Sequence, residues 1–278
     1  MDKVYSHDGT AIAFDRVGHG GPALILVNGA LSKRLDAASL AADLSPHFTV
    51  FTYDRRGRGD SCDTLPYAVE REIEDLNAMI AEAGGSAFVF GHSSGAVLAL
   101  KAARRPKSSI KKLAVYEPPI LVDNSRPRPP EDYYTRLTEL VSAGHQSEAV
   151  AYFMTEGLQV PAEALAQMQK APYWPAFEAM AHTLVYDNTI VADTMLGKPL
   201  SEDQWASISM PTLVMDGGNS PDYMHNGAQA LLDVLPNAQH HRFPGQGHGA
   251  ANAVLVPVLV DFLKVETISE SKYANLLR

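Results

Sequence analysis

Cysteine is nearly absent. Cys62 is the single one among 278 residues, so no internal disulfide can form and a reducing compartment suits the chain. Cations are also scarce. Lys and Arg number 23 against 32 Asp and Glu, a formal charge of −9, which argues against nucleic acid or an anionic membrane surface as partner. No apolar run approaches the ~20 residues of a membrane helix. The opening MDKVYSHDGT has no apolar signal core, and the expected setting is the cytoplasm. Internal repeats and low-complexity tracts are missing too. None of the ten histidines has a metal-ligand context, so neither a metal nor a cofactor is expected. What remains is ordinary globular composition, 46% hydrophobic and 20% charged, at a length that suits one large α/β domain with an insertion.

One stretch organises the rest. The apolar run Ala87-Phe88-Val89-Phe90 leads into Gly91-His92-Ser93-Ser94-Gly95, and a small apolar helix former, Ala96 to Leu100, follows at once. Strand, sharp turn and helix around G-x-S-x-G read as a nucleophile elbow. Glycine on both flanks fits a turn too tight for side chains. The serine is pushed out at the strand's carboxyl end, and the helix behind points its amides at the same place.

Before the elbow, the pattern predicts a hairpin (Lys3 to Tyr5 and Ala11 to Val17 about His7-Asp8-Gly9-Thr10). Buried strands at Ala23 to Val27 and Thr49 to Tyr53 follow, with helices at Asp36 to Leu44 and Ala68 to Ala83. After it, Lys112 to Tyr116 is a strand ending at Glu117-Pro118-Pro119. From Ile120 to about Ser209 no strand is expected. A proline-rich linker opens this segment, and helical patterns follow near Glu131 to Ala143, Ser147 to Glu156, Pro161 to Lys170 and Trp174 to Leu184. Strand and helix alternation resumes at Thr212 to Met215, with a helix from Met224 to Leu235, a strand from Gln239 to Phe243 and a last helix from Val254 to Val265; the tail from Glu266 is a short helix or a frayed end. The expected organisation is a mostly parallel, twisted sheet flanked by helices, formed by residues 1–119 and 210–278, with 120–209 inserted as a helical cap.

Active groups in such sheets stand beyond the carboxyl ends of strands. Ser93 needs a base, and the base needs an acid. His248, in the glycine-rich loop Gly245 to Gly249 after the last strand, can swing back over the sheet and is the expected base. His92 is expected to pack. For the acid, Glu117 and Asp216 both stand at strand ends. The oxyanion donors are expected to be the amide of Ser94 and that of Gly29 or Ala30, in the turn after the first long buried strand.

The pieces V-N-G-A, Y-D-R-R-G-R-G-D-S, G-H-S-S-G, Y-E-P-P, P-T-L-V-M-D-G and P-G-Q-G-H together resemble the α/β-hydrolase superfamily over nearly the whole chain. The resemblance implies the order serine, acid, histidine and a structural role for the arginine-rich stretch after Asp54. Two departures matter. Relatives often carry His-Gly where this chain has Asn28-Gly29. Many also place the acid three residues past a glycine after the next-to-last strand, where this chain has Ser220; Asp216 and Asp222 are both out of register. Zearalenone-type lactone hydrolases look similar in having a glutamate-proline after the strand that follows the elbow, which favours Glu117.

The cap segment holds both tryptophans and many aromatics and methionines. Trp174, Tyr186, Tyr134 and Met154 are the expected substrate contacts, the other apolar residues forming the cap's own core. No arginine or lysine anchor stands out. The expected activity is hydrolysis of a carboxylic ester or lactone of a neutral, fairly apolar small molecule by a Ser-His-Glu triad. Lyase chemistry like that of hydroxynitrile lyases, or a binding protein that kept the pocket, are the alternatives, and a homodimer is compatible with the chain.

Overall fold

The computed structural model describes residues 1–264. Eight strands form one sheet in the order β1-β2-β4-β3-β5-β6-β7-β8. They are β1 (Asp2–Tyr5), β2 (Ala11–Val17), β3 (Ala23–Val27), β4 (Thr49–Tyr53), β5 (Ala87–His92), β6 (Ile110–Tyr116), β7 (Thr212–Gly217) and β8 (Ala238–Phe243). Strands β1 and β2 pair antiparallel, as do β2 and β4; every other pairing is parallel. This is the α/β-hydrolase fold expected from the sequence.

Alternation along β3 shows how the sheet is sandwiched. Leu24 and Leu26 pack with Ala41 and Leu44 of α1 (Ala38–Leu44) and with Leu255 and Leu259 of α11 (Asn252–Lys264). Ile25 and Val27 join the opposite layer, with Leu76 and Met79 of α2 (Val69–Glu82) and Val97 and Leu100 of α3 (Ser94–Ala103). A strand with both faces covered must be apolar throughout, which is why ALILV reads as an unbroken run. The predicted strands and helices of this part all form, with α11 described as far as Lys264; the expectations for Val265 and for the tail fall outside the described residues.

Between β6 and β7 the described chain is helical. Its elements are α4 (Tyr133–Ser142), α5 (Gln146–Tyr152) continued by a π-helical turn (Phe153–Gly157), α6 (Ala162–Met168), α7 (Trp174–Ala179), α8 (Leu184–Val191) and α9 (Glu202–Trp205). Leu137, Leu140, Val150, Phe153, Met154, Trp174 and Leu184 form a separate apolar cluster that also takes in Leu31, from the loop after β3. Helix α8 was not expected. Its sequence, LVYDNTIV, is rich in β-branched and Asx residues, which lose rotamer freedom or compete for backbone hydrogen bonds in a helix. Helix α10 (Asp222–Val234) follows β7.

Candidate active site

Ser93 sits between β5 and α3 with φ of 55° and ψ of −128°, a conformation that L-residues avoid and that a tight turn imposes. Its flanking glycines are required by space. A Cβ on Gly91 would stand 2.6 Å from Ala96 Cα, and one on Gly95 would stand 2.3 Å from the Val27 carbonyl oxygen. The Ser93 amide donates to the Tyr116 carbonyl at 3.0 Å, tying the turn to β6. The first amides of α3, Ser94's among them, have no intrahelical acceptor. Gly29 is constrained as well, since its Cβ would come 2.9 Å from Ser93 Cβ; its carbonyl accepts from Arg58 Nη1 at 2.7 Å. Of the two amide candidates in that turn, Ala30 lines the cavity beside Ser93 and Gly29 does not. Asn28, where relatives often have histidine, donates from Nδ2 to the Lys33 carbonyl at 2.8 Å and so braces the same turn.

His248 reaches back over the sheet. Its Nε2 lies 3.1 Å from Ser93 Oγ and its Nδ1 lies 2.7 Å from Glu117 Oε2. An ionised carboxylate can only accept, so Nδ1 carries the proton and Nε2 is left to accept from the serine. Glu117 is buried, at the end of β6 with φ of 46°. Its Oε1 accepts from the Gly217 amide at 2.8 Å. Burial opposes its charge, but interactions with His248, the Ser220 hydroxyl and the Gly217 amide prevail and hold the carboxyl below its ordinary range.

Side chains hold the loop that carries His248; Asn219 donates from Nδ2 to the Gly245 carbonyl at 3.1 Å. Tyr116 donates its hydroxyl to the Gly247 carbonyl. His92 donates Nε2–H to the carbonyl of His248 itself, at 2.7 Å. Burial pushes the His92 imidazole down to about 4, with His248 nearby adding to the shift, so it is neutral at pH 7. Expected only to pack, His92 therefore also fixes the backbone of the candidate base.

Asp216 does not reach this array. It is fully buried and bonded to His225 Nδ1, to His240 Nε2 at 2.8 Å and to Arg242 Nε at 2.9 Å. Asp222 is exposed at the start of α10. Ser220, in the position where many relatives place the acid, lies in the cavity wall with its hydroxyl buried beside the Glu117 carboxylate.

Ser93 opens into a cavity of about 690 Å³. Tyr134 lines it as expected, together with Tyr133, Phe153, Met195 and Tyr223. Three expected contacts do not. Trp174 and Met154 are buried in the cap's own cluster. Tyr186 stacks on Tyr67, ring centroids 3.9 Å apart, and gives its hydroxyl to Asp63 at 2.6 Å. In a cap this small, burying its own large side chains competes with lining the pocket. The cavity also has a cation that the sequence reading did not anticipate: Arg126, from the proline-rich linker, stands in its wall.

Asp187 of α8 was missed as well. It accepts from Ser94 Oγ at 2.7 Å, Arg55 Nη1 at 2.8 Å and Arg58 Nη2 at 2.7 Å, all buried. Burial alone would raise its carboxyl; the two arginines and Ser94 outweigh that and lower it. The signal was present in the sequence. Arg55, Arg56 and Arg58 beside a buried strand need carboxylates to be buried themselves, and Glu72 and Asp75 of α2 satisfy only Arg55 and Arg56.

Comparison with known proteins agrees with this architecture. Residues 19–257 match the family described as the alpha/beta hydrolase family. An alpha/beta hydrolase crystal structure from Sphaerobacter thermophilus is 55% identical, covering 95% of this chain and 100% of that one, with a TM-score of 0.89. The enol-lactonase from Burkholderia xenovorans shares the fold at 20% identity, with a TM-score of 0.70 over 95% of this chain and 100% of its own. An N-formylmaleamate deformylase from Pseudomonas putida is 33% identical over 108 residues, 38% of this chain and 40% of that protein. The chain thus spans about two fifths of the length of the curated relatives it matches.

Proposed function

Because the chain belongs to the alpha/beta hydrolase family, we propose that it is a serine hydrolase of a carboxylic ester or lactone of a small, mostly apolar molecule, with Ser93 as nucleophile, His248 as base and Glu117 as acid. One observation carries this reading: the continuous chain of contacts from Ser93 Oγ to His248 Nε2 and from His248 Nδ1 to Glu117. His248 removes the Ser93 proton as Oγ attacks the carbonyl. The tetrahedral oxyanion forms against the amides of Ser94 and Ala30. Glu117 stabilises the imidazolium, which then gives its proton to the leaving alkoxide as the C–O bond breaks. Water, deprotonated by the same imidazole, hydrolyses the acyl-enzyme and frees Ser93. Among the described residues His248 is the one titratable side chain hydrogen-bonded to Ser93, and Phe153, Val191, Met195 and Leu196 line the cavity, which suits an ester better than a highly charged group at the scissile bond.

The test is Ser93→Ala assayed on short p-nitrophenyl esters, with fluorophosphonate labelling of the wild type followed by mass spectrometry. Turnover should fall by roughly 10⁶-fold, and one adduct should map to Ser93. Near-normal turnover in the variant defeats the proposal. A panel of esters, lactones and cyanohydrins separates it from the lyase alternative, which forms no acyl-enzyme and releases no carboxylic acid. The local similarity to a deformylase favours including N-formyl amides in that panel, since the same attack on an acyl–nitrogen bond needs only a protonated nitrogen leaving group.

A further inference from the structure

We propose that Arg126 is the anchor for a carboxylate on the substrate, so that the preferred molecule is the monoester or lactone of an acid carrying a second, free carboxylate. The inference rests on the hydrolase reading above and names its substrate class. Arg126 is 6% exposed and lines the cavity into which Ser93 opens. The other buried arginines, Arg34, Arg55, Arg56 and Arg58, each pair with at least one carboxylate. Arg126 pairs with none among the described residues. Its contacts are the Gly157 carbonyl, 2.8 Å from Nη2, the Pro127 carbonyl, 3.3 Å from Nε, and the ring of Tyr223, whose centroid lies 4.8 Å from the guanidinium carbon.

Those contacts orient a guanidinium without neutralising it. Carbonyls accept one or two of its five N–H groups, and the aromatic face keeps the plane fixed. Carboxylates in the same wall are engaged or wet. Glu117 serves His248 and Gly217, Asp187 serves Ser94, Arg55 and Arg58, and Glu131 is exposed. A buried cation left unpaired is costly, and here it faces open space.

Two neutral groups in the same wall point to the same chemistry. The Tyr133 hydroxyl and the Asn188 Nδ2 are buried beside one another, and neither has a partner within ordinary hydrogen-bond geometry. Burial keeps Tyr133 protonated, its pKa well above the ordinary value, so it is a donor. The Cβ position of Gly157, whose carbonyl holds Arg126, lies 2.4 Å from the Tyr133 hydroxyl, which puts these donors in one corner. A guanidinium, a phenol and an amide with unused N–H and O–H capacity suit a planar anion with several lone pairs. The rest of the wall, including Phe153, Met195 and Val191, suits an apolar chain between that anion and the scissile carbonyl.

Binding to the Ser93→Ala protein, measured by calorimetry, tests this without depending on turnover. The ligands are monomethyl esters of the straight-chain C4 to C8 diacids, each against the neutral methyl ester of equal length. At the best length the carboxylate should tighten binding roughly 10- to 100-fold, as a charge-assisted hydrogen bond allows. Adding Arg126→Gln should abolish the difference while leaving the neutral ester within about threefold; Tyr133→Phe, which deletes only a hydroxyl, should reduce it in part. Equal affinity for charged and neutral esters at every length, no binding of either, or a preference that survives Arg126→Gln in a folded protein overturns the anchor. Fluorophosphonate labelling of wild-type Ser93 reports on the hydrolase reading separately, so either idea can fail alone.

Discussion

Ser94 and Asp187 are 93 positions apart in the chain, and the serine hydroxyl donates to the carboxylate across 2.7 Å. The residue that follows the candidate nucleophile is thus held by a helix of the inserted segment. That carboxylate also neutralises two buried arginines, so the floor of the cavity and its roof share one charged network.

Asp187→Asn tests how much rests on that network. The substitution keeps shape but leaves Arg55 and Arg58 short of negative charge in a fully buried place. Removing one partner of a buried ion pair costs about 3–5 kcal/mol, and the expected outcome is a loss of that size in urea unfolding. Turnover per folded molecule should fall as well, because Ser94 loses a charged acceptor.

Glu117→Gln separates geometry from charge. The amide can still occupy the site beside His248 Nδ1, but it can present an N–H there and favour the wrong tautomer. A loss of about 10⁴-fold in kcat is expected, by the precedent of acid-to-amide changes in serine proteases, with KM little altered. Asp216→Asn, by contrast, should change kcat by less than about threefold, since Asp216 binds His225, His240 and Arg242 and not His248.

His92 makes stability depend on pH. Its imidazole is lowered from 6.5 to about 4 in the fold, so the folded state resists protonation more than the unfolded chain does. The contribution is fully present above pH 6.5 and is lost as pH falls from 6.5 toward 4. The melting temperature should therefore drop across that interval. In His92→Gln, which keeps a donor for the His248 carbonyl but does not titrate, the drop should be shallower. Thermal melts at half-unit pH steps decide this; parallel curves for the two proteins would refute it.

Tyr186 is structural in this arrangement. Deleting a ring stacked at 3.9 Å on Tyr67 should cost about 3–5 kcal/mol of stability, as large aromatic truncations do. KM for the folded Tyr186→Ala protein should stay within about twofold of wild type. Tyr134→Ala should show the reverse pattern, since Tyr134 is half exposed at the cavity wall.

Legibility of the sequence followed the range of the interactions. Each strand was readable because its apolar run is local, and the elbow was readable because Gly91 and Gly95 answer to atoms of the turn and of the neighbouring strand. Glu117 and Asp216 were both legible as strand-end carboxylates, but position did not choose between them; the resemblance to zearalenone-type lactone hydrolases did. Asp187 and Arg126 could not be found that way. One lies in a helix with weak helical character, and the other in a proline-rich stretch that reads as a linker; each gains its meaning from partners, or from their lack, far away in the chain. The cap aromatics failed for a related reason: periodicity identifies a buried face but does not say whether it is buried against protein or against a ligand.

The clamp on Asp187 also bears on traffic. Swinging the roof away from Ser93 would strip two guanidinium groups and a hydroxyl of their shared acceptor at one stroke, a far larger penalty than opening a greasy seam. The exposed side chains of Tyr134, Leu158 and Leu196 stand at the rim of the cavity, so substitutions that narrow this standing doorway, more than changes at any hinge, are expected to alter which molecules are admitted.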